Sequence, residues 1–176
     1  RLQKELPENK MRILYNGRNG IRFRWRWVMP DFKYPLVIRL DFSVKQKLHQ
    51  SKTASIMTKL PLFFSPIVTY LSAEEILAEK IRALLSRSKG RDVFDLWFLI
   101  RQKIKINKIL LQKKLDESGL KFNQELLMDK VKNYSSKSLE QDLNKFLPRN
   151  QRKIIKILKE ELLFLLADEI KRLGDT

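Results

Sequence analysis

The chain has 176 residues, of which 43% are apolar, enough for a real hydrophobic core in one domain or slightly more, and this excludes a disordered protein. It contains no cysteine, which excludes a disulfide framework and any zinc site built on cysteine. Its 37 Lys and Arg against 20 Asp and Glu give a formal charge of +17, which favours a polyanionic partner such as nucleic acid or nucleotide phosphates. No apolar run reaches the roughly 18 residues of a membrane span, so we expect a soluble, cytoplasmic protein without a membrane partner.

The positive charge is concentrated at the start of the chain. Residues 1–60 hold 14 basic and 4 acidic residues, whereas residues 107–176 hold 15 and 11. Interleaved charges in the later segment are typical of an ordinary solvated helix face. A basic but unspecific surface therefore stays an alternative to a nucleic-acid site.

The first third of the chain has the pattern of strands. After a predicted hairpin turn at 16–20, apolar residues alternate with Arg22, Arg24 and Arg26, so one face of this strand is aromatic and the other is cationic. The arginines are candidates for nucleic-acid phosphate contacts, although an aromatic opposite face is more typical of a core strand. The leucine and β-branched content of residues 36–43 predicts a more buried strand. A further short strand is predicted at residues 56–58.

The pattern after residue 70 is helical. Ser72 and Glu75 form a predicted capping box for a helix that ends near Arg87, and a second, nearly all-apolar helix runs from Arg91 to about Gln102. Predicted N-caps of the later helices are Asn107, Asn123, Ser138 and Asn150. We therefore predict an α+β fold, with a mixed β-sheet packed on the helices of 72–102 and a helical bundle after it. The predicted domains are 1–103 and 104–176.

Charged residues interrupt the first two helices. At about 100° per residue, Lys80 falls within the apolar arc of its helix, so it must either extend its ammonium to solvent or meet an anion. Asp92 and Asp95 share one face of the next helix. Asp92 is typical of a first helical turn, whereas Asp95 lies between apolar neighbours and is expected to be poorly solvated. Lys80, Arg87 or Arg91 would then supply the compensating cation.

These residues form a long and specific motif, Glu79-Lys80-x-x-Ala83-Leu84-x-Ser86-Arg87-x-Lys89-x-Arg91-Asp92-x-x-Asp95-Leu96. It resembles the signature of the AbiEii/AbiGii toxin nucleotidyltransferases, roughly EK-x-x-AL-x-SR-x-K-x-RD-x-x-DL. Upstream, the segment 37–42 resembles the strand that carries the third carboxylate of the nucleotidyltransferase triad. The resemblance covers about residues 36–102.

The resemblance implies transfer of a nucleotide from an NTP to a tRNA-like RNA or other hydroxyl acceptor. The enzyme would be the toxin of a toxin–antitoxin or phage-defence pair and would have a cognate antitoxin. It implies Mg²⁺ as cofactor, with Asp41 as a metal ligand and Lys80 on the triphosphate. Asp92 would be a polar partner or general base, and Asp95 would support the site. Arg87 and Arg91 would hold phosphates or pair with the aspartates.

The sequence departs from that family in one respect. It contains no Gly-Ser dipeptide and no Asp-x-Asp pair, so two of the three metal carboxylates are absent. Because the chain begins with Arg1 rather than Met, we expect a fragment of a longer product that is inactive by itself. The alternative is a non-catalytic module that binds nucleic acid or an antitoxin. His49, the only histidine, is expected on the surface and outside any catalytic site.

Overall fold

A computed structural model of the chain describes residues 9–44, 47–59, 63–87 and 89–174. Contacts divide the chain into two compact units, residues 1–48 and 49–176. The predicted α+β class is confirmed, with small antiparallel sheets where one mixed sheet was predicted. The domain boundary at 103 and 104 and the packing of the first sheet on the helices of 72–102 stay predictions.

The first unit contains a three-stranded antiparallel sheet in the order β1-β2-β3. Its strands are β1 (Asn9–Gly17), β2 (Gly20–Trp27) and β3 (Leu36–Ser43). The predicted hairpin turn is confirmed, because Gly17 and Gly20 face each other across it. Gly20 has φ +149°, and a Cβ at this position would collide with the carbonyl oxygen of Phe42, so only glycine fits there.

The alternation predicted for β2 is present: its arginines are exposed and its apolar residues are half-buried. Directly opposed residues of antiparallel strands lie on one face of the sheet. Cross-strand pairing therefore collects apolar residues from all three strands on the face opposite the arginines. These residues are Met11, Ile13, Ile21, Phe23, Trp25, Trp27, Leu36, Ile38, Leu40 and Phe42.

The prediction that residues 36–43 form a buried strand is wrong. Every residue of β3 is exposed. The strand lies at the edge of its sheet and pairs with β2 alone. Its leucine and β-branched content reflects one apolar face rather than burial on both sides.

The second unit begins with a two-stranded antiparallel sheet, β4 (Ser51–Ser55) and β5 (Ile67–Leu71). The strand predicted at 56–58 is wrong: β4 ends at Ser55, and only the Ile56 amide continues the pairing, donating to the Pro66 carbonyl at 2.8 Å. Because β4 reads Ser-Lys-Thr-Ala-Ser, it has no apolar alternation to reveal it.

Six α-helices and one short 3₁₀ helix are present among the described residues of this unit. They are α1 (Ala73–Ser86), α2 (Gly90–Arg101), α3 (Lys108–Asp116), α4 (Gln124–Lys132), α5 (Ser136–Leu143), the 3₁₀ helix (Arg149–Ile154) and α6 (Ile155–Gly174). None of these helices is both long and apolar enough to cross a bilayer. Side chains of all six α-helices share one hydrophobic core.

Two of the four predicted N-caps of the later helices are confirmed. The side chains of Asn107 and Asn123 accept hydrogen bonds from the third residue beyond them. The predictions at Ser138 and Asn150 are wrong. Ser135 caps α5, and Ser138 donates its amide to that cap, while Asn150 lies inside the 3₁₀ helix. Serine clusters offer several equivalent capping oxygens, so sequence alone does not choose among them.

The capping box at α1 is half confirmed. The Ser72 hydroxyl accepts from the Glu75 amide at 3.1 Å, but the Glu75 carboxylate does not return to Ser72. It is fully buried and accepts instead from the backbone amides of His49 and Gln50. The Lys114 ammonium on α3, only 2% exposed, contacts the same carboxylate at 2.8 Å. Glu75 therefore joins the residues just before β4, the first turn of α1 and the last turn of α3.

Removing the Lys114 ammonium is expected to destabilise the second unit. In Lys114→Met, Glu75 keeps its charge in a buried place without its cation, which costs about 3–5 kcal/mol of the free energy of unfolding. Urea unfolding followed by helical circular dichroism measures the loss. The control is Lys113→Met at the exposed neighbouring position, with an expected change below about 0.5 kcal/mol. Equal losses in the two variants would contradict this role of the pair.

The stability that Glu75 provides should depend on pH. Burial raises the pKa of Glu75, but hydrogen bonds from Lys114, Gln50 and His49 outweigh that effect and lower the pKa below its ordinary value of 4.5. A lowered folded-state pKa means that the stabilisation is complete above pH 4.5 and is lost as the pH falls through the folded-state value. We expect the difference in unfolding free energy between the wild type and Glu75→Gln to shrink below pH 4.5. A difference that stays constant down to pH 3 would be the contrary result.

Candidate functional site

Four charged side chains from α1, its C-cap and α2 lie together. We call Lys80, Arg87, Asp92 and Asp95 the Lys80–Asp92 cluster. The Lys80 ammonium lies 2.5 Å from an oxygen of Asp95 and 3.5 Å from Oδ1 of Asp92. The Arg87 guanidinium donates to Asp92 through Nε at 3.1 Å and Nη2 at 3.5 Å. Two cations thus converge on one carboxylate.

The prediction that Asp95 is poorly solvated is wrong, and Asp92 is the buried aspartate. The Asp92 side chain is 4% exposed, whereas that of Asp95 is 39% exposed. Sequence neighbours on a helix point about 100° apart, so the apolar residues that flank Asp95 do not bury it. The nearly all-apolar composition of this helix predicts burial, but its Phe98 is exposed. Asp92 is therefore the residue that requires compensation.

The cations of the segment divide into two groups. The Lys80 side chain is 26% exposed, so it is held by carboxylates without being sealed from solvent. Arg87, at 55%, presents much of its guanidinium outward. Arg91, in contrast, lies over the ring of Phe146 at 4.7 Å, a cation–π contact, and contacts neither aspartate.

Two residues that sequence reasoning missed hold the turn between α1 and α2. The Lys130 ammonium donates to the Leu85 carbonyl at 2.7 Å, at the end of α1. The Asp142 carboxylate accepts from the Gly90 amide at 2.9 Å, at the beginning of α2. Burial and the Asp142 charge raise the pKa of Tyr134, whose hydroxyl donates to the same carboxylate. These partners lie 45 and 52 residues away in sequence, where no local pattern could indicate them.

Asp41 belongs to the first unit. It forms ion pairs with Arg22 across the β2–β3 pairing and with Arg39 on its own strand, the latter at 3.5 Å. The structure thus brings together Lys80, Arg87, Asp92 and Asp95 in one unit and Arg22 with Asp41 in the other. From the sequence we also predict that Asp41 converges with Lys80 and Asp92 on one concave surface, and this stays a prediction.

The chain matches a known protein family over most of its length. A family model described as "Nucleotidyl transferase AbiEii toxin, Type IV TA system" matches residues 2–162. The chain belongs to this family. A comparison with curated proteins found no match.

Two solved structures share the fold of this AbiEii family member. One is JHP933 from Helicobacter pylori, with 17% identity and a TM-score of 0.53, over 94% of this chain and 65% of that one. The other is a proposed nucleotidyltransferase from H. pylori, with 20% identity and a TM-score of 0.56, over 94% and 67%. The chain spans about two thirds of the length of each structure.

The described residues of this AbiEii chain do not assemble a complete set of protein ligands for magnesium. Mg²⁺ prefers several oxygen ligands in octahedral geometry. No group of three or more His, Asp or Glu side chains with suitable spacing exists among them. Asp41 contacts two arginines, and Asp92 contacts Lys80 and Arg87, so the carboxylates singled out in the sequence face cations instead.

Substitution of the two aspartates should separate their roles in stability. Asp92→Asn removes charge-assisted hydrogen bonds from a buried carboxylate and is expected to cost about 1–3 kcal/mol of unfolding free energy. Asp95→Asn alters a partly exposed pair and is expected to cost less than about 1 kcal/mol. Urea unfolding of both variants measures the difference. A larger loss in Asp95→Asn would contradict the assignment of Asp92 as the buried centre.

Proposed function

We propose that the protein acts in nucleotide transfer from an NTP to an RNA or other hydroxyl acceptor, and that the Lys80–Asp92 cluster binds the triphosphate. The observation that carries this proposal is the meeting of two cations, Lys80 and Arg87, on one buried carboxylate within the family-matched segment. Cations fixed in advance stabilise phosphate charge without reorganising during the reaction.

The contacts suggest a separate role for each residue of the cluster. Lys80 and Arg87 are solvent-accessible and would contact phosphate oxygens. Asp92 orients both cations, and with its two oxygens already engaged it is better suited to positioning than to accepting a proton as general base. Asp95, which is partly exposed, would release Lys80 when a phosphate binds. Arg91 would reach phosphates only after leaving Phe146.

Metal binding by Asp41 is a further part of the proposal. Asp41 is half-exposed, so exchange of its arginine contacts for a metal requires no unfolding of the sheet. Because the described carboxylates do not assemble a magnesium site, we expect no transfer by the 176-residue chain alone. Transfer would require carboxylates supplied by a Gly-Ser and Asp-x-Asp segment.

The family description, a toxin of a type IV toxin–antitoxin system, suggests an antitoxin partner. We propose that the partner is a cognate antitoxin, that the acceptor is tRNA-like and that the pair serves in phage defence in the cytoplasm. These assignments follow from the family and not from a feature of the cluster.

Labelled-NTP incorporation tests the proposed chemistry. A form extended upstream of Arg1 by a Gly-Ser and Asp-x-Asp segment is incubated with RNA and each NTP in turn, with and without Mg²⁺, and the RNA is resolved on a gel. We expect incorporation with Mg²⁺ only, and a loss of about 100-fold in Lys80→Ala, because one phosphate contact is removed from the transferring group. The control Lys105→Ala changes an exposed lysine outside the cluster and should match the parent.

Circular dichroism of Lys80→Ala separates lost chemistry from lost folding, and Lys80→Arg, which keeps a cation, should recover part of the incorporation. Robust transfer by the 176-residue chain would overturn the requirement for the added segment. An inert extended form that still binds RNA would favour the non-catalytic binding module instead.

A further inference from the structure

The sheet of the first unit has a cationic face that extends beyond the arginines of β2. In the strand register, Lys10 lies opposite Arg26 and Arg12 lies opposite Arg24. Opposed residues share a face, so β1 adds two cations to the row on β2. On the other side of β2, Arg24 lies opposite Arg39.

Asp41 divides this face into two halves of different charge. It pairs with Arg22 and Arg39, which compensates that half in part. Lys10, Arg12, Arg24 and Arg26 line a common shallow depression, and within the described ranges no acidic side chain contacts them. We call these four residues the cationic quartet. Of the three arginines singled out in the sequence, Arg22 is therefore already engaged.

Retaining the cationic quartet without an anion is unfavourable. Like charges directly opposite each other on neighbouring strands destabilise the pairing. Here two such pairs, Lys10 with Arg26 and Arg12 with Arg24, lie side by side. An anion placed between the strands would convert this repulsion into attraction.

We propose that the cationic quartet binds the phosphate backbone of single-stranded RNA without reading its bases. Residues two apart on a strand lie about 7 Å from each other and neighbouring strands about 5 Å apart, so the quartet offers a two-by-two array to successive phosphates. Three guanidiniums can each bind a phosphate through two hydrogen bonds.

The absence of base reading follows from the position of the aromatic residues. Phe23, Trp25 and Trp27 alternate with the arginines of β2 and lie on the opposite face of the sheet. Stacking platforms for bases combine aromatic rings with cations on one face. Tyr15 shares the cationic face, but it lies opposite Arg22 and does not line the depression of the quartet, so the contacts of the quartet are electrostatic. That the polyanion is RNA rests on the proposed function; the existence of the site does not.

The test is the salt dependence of RNA binding by the full 176-residue chain, with no NTP present. Fluorescence anisotropy with oligouridine and oligoadenosine of about 12 nucleotides gives the Kd at several KCl concentrations. The variant K10Q/R12Q/R24Q/R26Q removes the quartet. The control K113Q/K132Q/K137Q/K156Q removes four exposed lysines of the second unit and the same net charge.

We expect the slope of log Kd against log salt to fall by up to about 3 in the quartet variant, since each phosphate contact on a single strand contributes about 0.7. The control should keep nearly the wild-type slope, and the two oligonucleotides should bind within about twofold of each other because phosphates carry no base information. If the quadruple variant does not fold, R12Q/R24Q is expected to lose about half as much slope.

Three results would overturn the proposal: an unchanged slope in the quartet variant, an equal loss in the control, or equal affinity for a glutamate peptide of the same charge, which would point to an acidic protein segment. Because no nucleotide transfer is measured, failure of the proposed chemistry leaves this result intact. Conversely, the extended form could transfer nucleotides while the quartet variant binds RNA normally. That result would contradict the RNA-binding role of the quartet but not the proposed chemistry.

Discussion

The second unit depends on a carboxylate that has no access to water. Glu75 and Lys114 are both fully buried, and an unpaired charge in such a place would cost several kcal/mol. The carboxylate is satisfied only if α3 delivers its ammonium and the chain ahead of β4 delivers the His49 and Gln50 amides. Three segments distant in sequence therefore meet at the first turn of α1.

The position of the Lys80–Asp92 cluster follows from that constraint. With the first turn of α1 fixed by Ser72 and Glu75, the helix brings Lys80 towards α2. The other end of α1 and the beginning of α2 are held by Lys130 and Asp142 of the bundle. The later helices thus hold the turn that carries the charged motif, although they contribute none of the motif residues.

Patterns in the sequence predicted those features that depend on residues close together in the chain. The bounds of α1 and α2, the Gly17–Gly20 hairpin and the alternation of β2 each follow from periodicity, turn or cap residues within one segment. The prediction failed where a partner is distant: Glu75 was assigned to its own cap, and Asp95 rather than Asp92 was expected to be poorly solvated. Lys10 and Arg12 were overlooked because their importance depends on the register with β2.

The approach of Asp142 to Gly90 constrains how related sequences can diverge. A Cβ at position 90 would lie 2.9 Å from the Cβ of Asp142 and 3.3 Å from Leu139, so any larger residue would push α5 away from α2. Only glycine at 142 would remove the Cβ that clashes, and it would leave the amide at 90 without its acceptor. The two positions are therefore tied to one another, and descendants of this sequence can replace the pair only by coordinated substitutions, however freely the exposed residues around them drift.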